Sequence, residues 1–231
     1  MYAQSAPKSI EEMFTAIAKN YDRVNSAMSL GLHKKWNAAL AKEMKGCPFL
    51  LDLCAGTGEI AFTFLKNNSN SSAILLDFSA GMLNVARAKG APFSDSFSIL
   101  RADAQKIPLD NNTVNGVTIA YGIRNVTEPK LCFAEVYRVL KPNGRFAILE
   151  LTRPTFFLLA WLHRLYTITY LPIVGKIYTK NREAYRYLAS SVHSFASPKI
   201  LIKQLQAYGF KLVKHKKFAG GIASLIVVEK C

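Results

Sequence analysis

Acidic residues are scarce in this sequence. Asp and Glu number 15 against 30 Lys and Arg, giving a net charge of +15 over 231 residues. That excess directs the protein toward something anionic, with nucleic acid and the anionic face of a bilayer as the two obvious candidates. Cysteine is scarce too. Cys47, Cys54, Cys132 and Cys231 form no CxxC pair and have no histidine cluster beside them, which argues against a zinc or disulfide framework. They read as reduced thiols of a cytosolic protein, and no metal is expected. No uninterrupted apolar run reaches the roughly 20 residues that cross a bilayer. The longest apolar region, "TFFLLAWLHRLYTITYLPIVGKIY" (155–178), is interrupted by His163 and Arg164 and then by Pro172, read as a helix breaker. The N-terminal "MYAQSAPKSIEEMFTAIAKNYDRVN" carries early acids and lacks an apolar core, so it reads as neither a signal nor a transit peptide. Half of the residues are apolar, enough for a large core in one α/β domain with an appended element.

Residues 8–45 are expected to be helical. Ile10, Met13, Phe14, Ile17 and Tyr21 recur at helical spacing, as do Trp36, Leu40 and Met44. "PFLLDLCAG" then reads as a buried parallel strand, "EIAFTFLKNN" as a helix and "AILLDFS" as a second strand. Ser79 caps the next helix, which Gly90 ends. "FSILRADA" and "TVNGVTIAYG" follow as strands. A helix starts at Thr127 with Pro129 in its first turn and stops by Pro142 and Gly144, before the strand "RFAILELT". The alternation lapses over 153–196, which reads as a helical insertion. It resumes with a helix capped by Ser197 and ended by Gly209, then two strands joined at Gly220–Gly221. The expectation is one domain over 1–231: an open, mostly parallel α/β sheet, with a helical cover at 1–45 and the insertion at 153–196.

"LDLCAGTGEI" (51–60) joins the first strand to its helix. Gly56 and Gly58 let a ligand approach the backbone. No Lys-Ser or Lys-Thr follows, and the third glycine of GxGxxG is absent, so this is not a pyrophosphate loop. Asp77 ends the second strand, where a carboxylate reaches a ribose diol. Asp103 follows the third strand, where it could accept from a purine amine. Each acid alone could be a helix cap or a surface residue. Together with the loop, at the ends of three successive strands, they favour a nucleoside ligand, and S-adenosylmethionine fits better than NAD.

These residues carry a resemblance. "NYDRVNSAMSLGLHKKW", "LDLCAGTGEI", "AQKIPLDNNTVN", "YGIRNVTE", "YRVLKPNGR" and "AYRYLASSV" together resemble class I methyltransferases, and among them the C-methyltransferases of menaquinone and ubiquinone biosynthesis. The resemblance covers nearly the whole chain. It implies a Rossmann-like, seven-stranded sheet with the last strand antiparallel, and methyl transfer from S-adenosylmethionine to a ring carbon of a prenylated quinol. The expected cofactor set is Asp52, Gly56, Thr57, Gly58, Asp77, Phe78, Asp103, Ala104 and Ala120. Three positions depart from the family pattern: Glu59 replaces a shorter Asp, Asp103 a frequent Asn, and Ala120 a frequent Ser. A naphthoquinol, demethylmenaquinol, is favoured over a benzoquinol because no import peptide is seen. Self-association into a homo-oligomer stays open.

A ring carbon becomes nucleophilic when a neighbouring phenol loses its proton. Arg124, after the fourth strand, can lower that phenol's pKa or orient a water that takes the proton; Asn125 can fix the water or the oxygen. The other reading of Arg124 is an ion pair with Glu150 or Glu128. Tyr21 covers the site or packs in the core; Asp22 is a base or a partner for Arg124. His33, His163 and His193 read as surface or packed residues, with His193, in the insertion, the exception. "FFLLAWLHRLY" and "LPIVGKIY" offer a trough for the prenyl tail, with Trp161, Tyr166 and Tyr170 suited to a membrane interface. Lys176, Lys180 and Arg182 assist at an anionic surface. The expected location is the cytoplasm, peripherally on the inner face of the membrane. Nucleic acid is not the expected substrate: no [DNS]PP[FYW] clamp follows the fourth strand, and Cys132 lies inside a helix.

Overall fold

In a computed structural model, residues 7–154, 156–179, 187, 190–192 and 195–231 are described. The N-terminal helical pattern divides into α1 (Pro7–Ile17), a 3-10 turn (Ala18–Asn20), α2 (Tyr21–Met28) and α3 (Leu32–Glu43). Leu30 and Gly31 both take positive φ and turn the chain between α2 and α3. Trp36, Leu40 and Met44 are buried along one side of α3, as their spacing requires.

Alternating elements follow: β1 (Phe49–Leu53), α4 (Glu59–Lys66), β2 (Ser72–Asp77), α5 (Ala80–Lys89), β3 (Phe97–Arg101), β4 (Val114–Ala120), α6 (Pro129–Val139) and β5 (Leu140–Leu151). The last elements are α7 (Phe157–Thr179), α8 (Pro198–Ala207), β6 (Phe210–Phe218) and β7 (Ala223–Lys230). One seven-stranded sheet runs β3-β2-β1-β4-β5-β7-β6. Strands β1 to β5 pair in parallel, and β7 runs antiparallel to both β5 and β6. The hairpin thus inserts its second strand into the sheet, leaving lysine-rich β6 at the edge, where charge guards an open ladder. Large apolar clusters cover both faces, so β1, β2 and β4 are apolar on both sides.

Several boundaries differ from the sequence reading. Glu128, not Thr127, precedes α6, and the helix yields to β5 at Leu140, before Pro142. Gly90 follows α5 without left-handed φ; it is small because a Cβ there would lie 2.3 Å from the Phe97 ring. Ser197 holds the cap position of α8, yet its side chain makes no capping bond. Helix α7 continues through Pro172, since one proline removes only one N–H from a long helix.

Chain order reverses around β1: the next two strands extend one way, and β4 and β5 the other. Such a switch point opens a crevice at the carboxyl ends of β1 and β4.

Candidate functional site

The crevice is floored by the loop after β1. Cys54, Gly56 and Gly58 all have positive φ, and α4 begins directly after them. At Gly58 (φ +81) a Cβ would stand 2.3 Å from the Phe62 ring, so only glycine fits. Asp77 staples this loop to β2: its Oδ2 accepts from the Gly56 amide at 2.9 Å and its Oδ1 from the Ser79 amide at 2.8 Å. Burial raises the Asp77 pKa against the pull of these backbone bonds.

Asp52 lies deeper and is 1% exposed. Its Oδ1 accepts from Thr118 Oγ1 at 2.7 Å, across the β1–β4 pairing that places the two residues side by side. Its Oδ2 has no hydrogen-bond partner among the described residues. Burial lifts its pKa from 3.8 to about 7, with the Thr118 bond opposing.

Helix α2 closes over the loop. Thr57 Oγ1 donates to Asp22 Oδ1 at 2.6 Å, and Lys89 Nζ donates to Asp22 Oδ2 and Glu59 Oε1, both at 2.7 Å. Burial opposes the Lys89 charge, but the two carboxylates outweigh it and raise its pKa. Asp22 is therefore committed to Lys89 and Thr57 and is not the partner of Arg124. Tyr21 enters the crevice beside it. Burial raises its hydroxyl pKa, while Arg124 and a hydrogen bond with Asn25 pull it down.

Arg124 does make the ion pair with Glu150. Nη1 sits 2.6 Å from Glu150 Oε1, with the side chains 5% and 2% exposed. Nη1 also donates to the Tyr121 carbonyl at 2.5 Å, and Nε to Ser191 Oγ at 3.3 Å. Asn125 Oδ1 accepts from the Tyr187 hydroxyl at 3.1 Å, which draws the insertion onto the same loop. Three phenols thus surround Arg124: those of Tyr21, Tyr121 and Tyr187. Burial raises all three pKa values and Arg124 opposes each rise.

The remaining expected cofactor residues lie at neighbouring strand ends. Ala104 is buried, Phe78 and Ala120 are half-buried, and Asp103 is exposed, with its carboxylate engaged by the Gln105 amide and side chain. His193 lies outside the described residues.

Tyr21, Asn25, His33, Asn37, Asp52, Gly56, Thr57, Ala120 and Tyr121 enclose a cavity of about 40 Å³. The methyl donor implied by the resemblance needs far more, since ligand sites of this kind span about 300–1,000 Å³. The chemistry nevertheless fits. The glycine loop leaves the backbone open to a ligand, Asp77 closes β2, where a carboxylate can reach a ribose diol, and the unpartnered Asp52 oxygen suits a cationic donor. The sequence reading did not assign Asn37, Lys89, Tyr121 or Tyr187. Asn37 was legible as the residue one turn after His33 on α3. Lys89 gave no signal; Tyr187 lies in the quoted motif "AYRYLASSV", but its bond to Asn125, 62 residues away, had none.

A family model described as "ubiE/COQ5 methyltransferase family" matches residues 2–230. A "Demethylmenaquinone methyltransferase" of Protochlamydia amoebophila is 43% identical over 97% of this chain and 96% of its own. One of Chlamydia caviae with the same name is 38% identical over 96% of both chains. A solved SAM-dependent methyltransferase from Thermotoga maritima shares the fold, with a TM-score of 0.68 at 18% identity over 95% of this chain and 99% of that one. The chain that builds the β1–β4 crevice belongs to the ubiE/COQ5 methyltransferase family.

Proposed function

We propose that the protein transfers a methyl group from S-adenosylmethionine to a ring carbon of a prenylated demethylmenaquinol. The observation that carries this reading is Arg124, a buried guanidinium one loop beyond β4, ringed by phenols and next to the glycine loop. When bound, the cofactor supplies an electrophilic methyl that a ring carbon beside an ionised hydroxyl can take in line. Arg124 lowers the cost of that ionisation, as it opposes the rise at Tyr21, Tyr121 and Tyr187. Asn125, held by Tyr187, orients the oxygen or a water beside it. Asp77 and the glycine loop hold the donor, and Tyr21 excludes water from above. The names of the relatives support the naphthoquinol; a benzoquinol is the alternative.

Turnover is expected with the reduced quinol and labelled methyl donor, and none with the oxidised quinone, which has no hydroxyl to ionise. Equal turnover on both would contradict the phenolate route, and assay of both quinol classes assigns the ring.

The same reading places the enzyme on the inner face of an anionic membrane. Among the described residues no helix is long and apolar enough to cross a bilayer. Helix α7 nonetheless exposes Phe157, Leu158, Trp161, Leu162, Leu165 and Ile168. Tyr166 and Tyr170 do not join them: the Tyr166 hydroxyl donates to the Met28 carbonyl and the two rings stack, facing α2. Lys180 and Arg182 lie outside the described residues, as does the side chain of Lys176. Flotation with vesicles is expected to need anionic lipid, weaken at high salt and fall with Trp161→Glu. No association with any lipid would refute membrane docking.

A further inference from the structure

His33 stands in the first turn of α3, and its ring faces two spaces. It lines the enclosed cavity beside Asn37, Asp52 and Tyr121, and also an open groove of about 500 Å³ that Asp22 lines as well. The residue is 7% exposed.

One hydrogen bond fixes its tautomer. The Ser29 hydroxyl has a single proton and gives it to the Asn25 carbonyl at 2.7 Å. The 2.6 Å contact between Ser29 Oγ and His33 Nδ1 then requires the proton on Nδ1. In the neutral ring Nε2 is left as an acceptor. Burial keeps the imidazole pKa low and so favours the neutral ring, although Glu59 and Asp22 pull the other way and Lys34 adds to the lowering.

The cavity wall is rich in such acceptors. Asp52 Oδ2 has no partner, and the Tyr121 hydroxyl spends its proton on Asn37 Oδ1 at 3.0 Å. No Lys or Arg is among the described residues lining the enclosed cavity; Lys89 is engaged with Asp22 and Glu59, and Arg23 and Lys34 line the open groove. A carboxylate would meet lone pairs here. An ammonium would meet three acceptors.

We propose that His33 Nε2 accepts a hydrogen bond from the α-ammonium of the methyl donor's amino-acid tail, with Asp52 as its counter-ion and Ser29 holding the ring. The inference rests on the reading that places the donor in this crevice. His33 is then a cofactor-binding residue rather than a packed core histidine.

Two ligands separate these roles. S-adenosylhomocysteine carries the ammonium; 5′-methylthioadenosine keeps the nucleoside and sulfur but has no amino-acid tail. Calorimetry with His33→Ala should show about tenfold weaker binding of the first and less than about twofold change for the second. His33→Gln, which returns an acceptor oxygen, should recover most of the loss. Ser29→Ala, which frees the ring but keeps it, should weaken only the first ligand, by about threefold. Equal loss for both ligands, or loss for neither, overturns the role of His33. Binding of neither ligand by the unaltered protein overturns the cofactor assignment itself.

Discussion

Arg124→Ala is expected to lower turnover by about 10²- to 10³-fold, the usual cost of removing one charge-stabilising group from an active site. Affinity for S-adenosylhomocysteine should stay within about threefold, because the glycine loop, Asp77 and Asp103 lie at the ends of other strands. The substitution also strands Glu150, 2% exposed, without its cation. That alone costs about 3–5 kcal/mol, so lost activity could reflect lost structure. The double variant Arg124→Leu/Glu150→Leu removes both charges and fills the space with apolar groups, which is often neutral for stability. Its denaturation midpoint should return toward that of the unaltered protein while turnover stays low. Recovery of turnover along with stability would make Arg124 a structural residue.

The strand-and-helix order was legible because buried parallel strands write themselves as short apolar runs closed by glycine or acid. β1, β2 and β4 are such runs, and their order places the glycine loop, Asp77 and Arg124 along one edge. Helix limits were less legible. Pro142 marks where a helix cannot continue, but pairing with β4 ends α6 earlier, at Val139. Pro172 was read as a break because local rules see the missing N–H but not the length of helix on either side.

The site divided along the same line. Residues carried by motifs were found, and the Arg124–Glu150 pair was among the readings of the sequence; the bonds of Asp22 were not foreseen. Asp22 and Arg124 look complementary in sequence, yet Lys89, 67 residues away, takes Asp22. That pairing depends on how α2 and α5 pack over the sheet, which no local pattern encodes. Tyr166 and Tyr170 show the same limit. Amphipathic aromatics suit a membrane interface, but the packing of α7 on α2 turns both inward, leaving Trp161 exposed.

Asp52→Asn is expected to stabilise the free protein and impair cofactor binding. The unfolded carboxyl ionises near 3.8 and the folded one near 7. Between those values the folded chain holds a proton that the unfolded chain has lost. Wild-type stability therefore falls as pH rises through this window, by up to about 1.4 kcal/mol per unit, and the loss is complete above pH 7. An amide has nothing to lose. The gain from Asn should be small at pH 4–5 and largest at pH 8, read as the difference in denaturation midpoint at each pH. A gain that is the same at every pH would mean that Asp52 does not titrate in the fold. S-adenosylhomocysteine should bind Asp52→Asn about 10- to 100-fold more weakly at pH 8, since a charged partner of the ligand has become neutral. In the unaltered protein the bound ammonium should hold Asp52 ionised, so binding at pH 6 should release a proton, measurable from the buffer dependence of the binding heat. A carboxylate costly to the empty fold and satisfied by its ligand is the stability–activity trade expected of a binding residue.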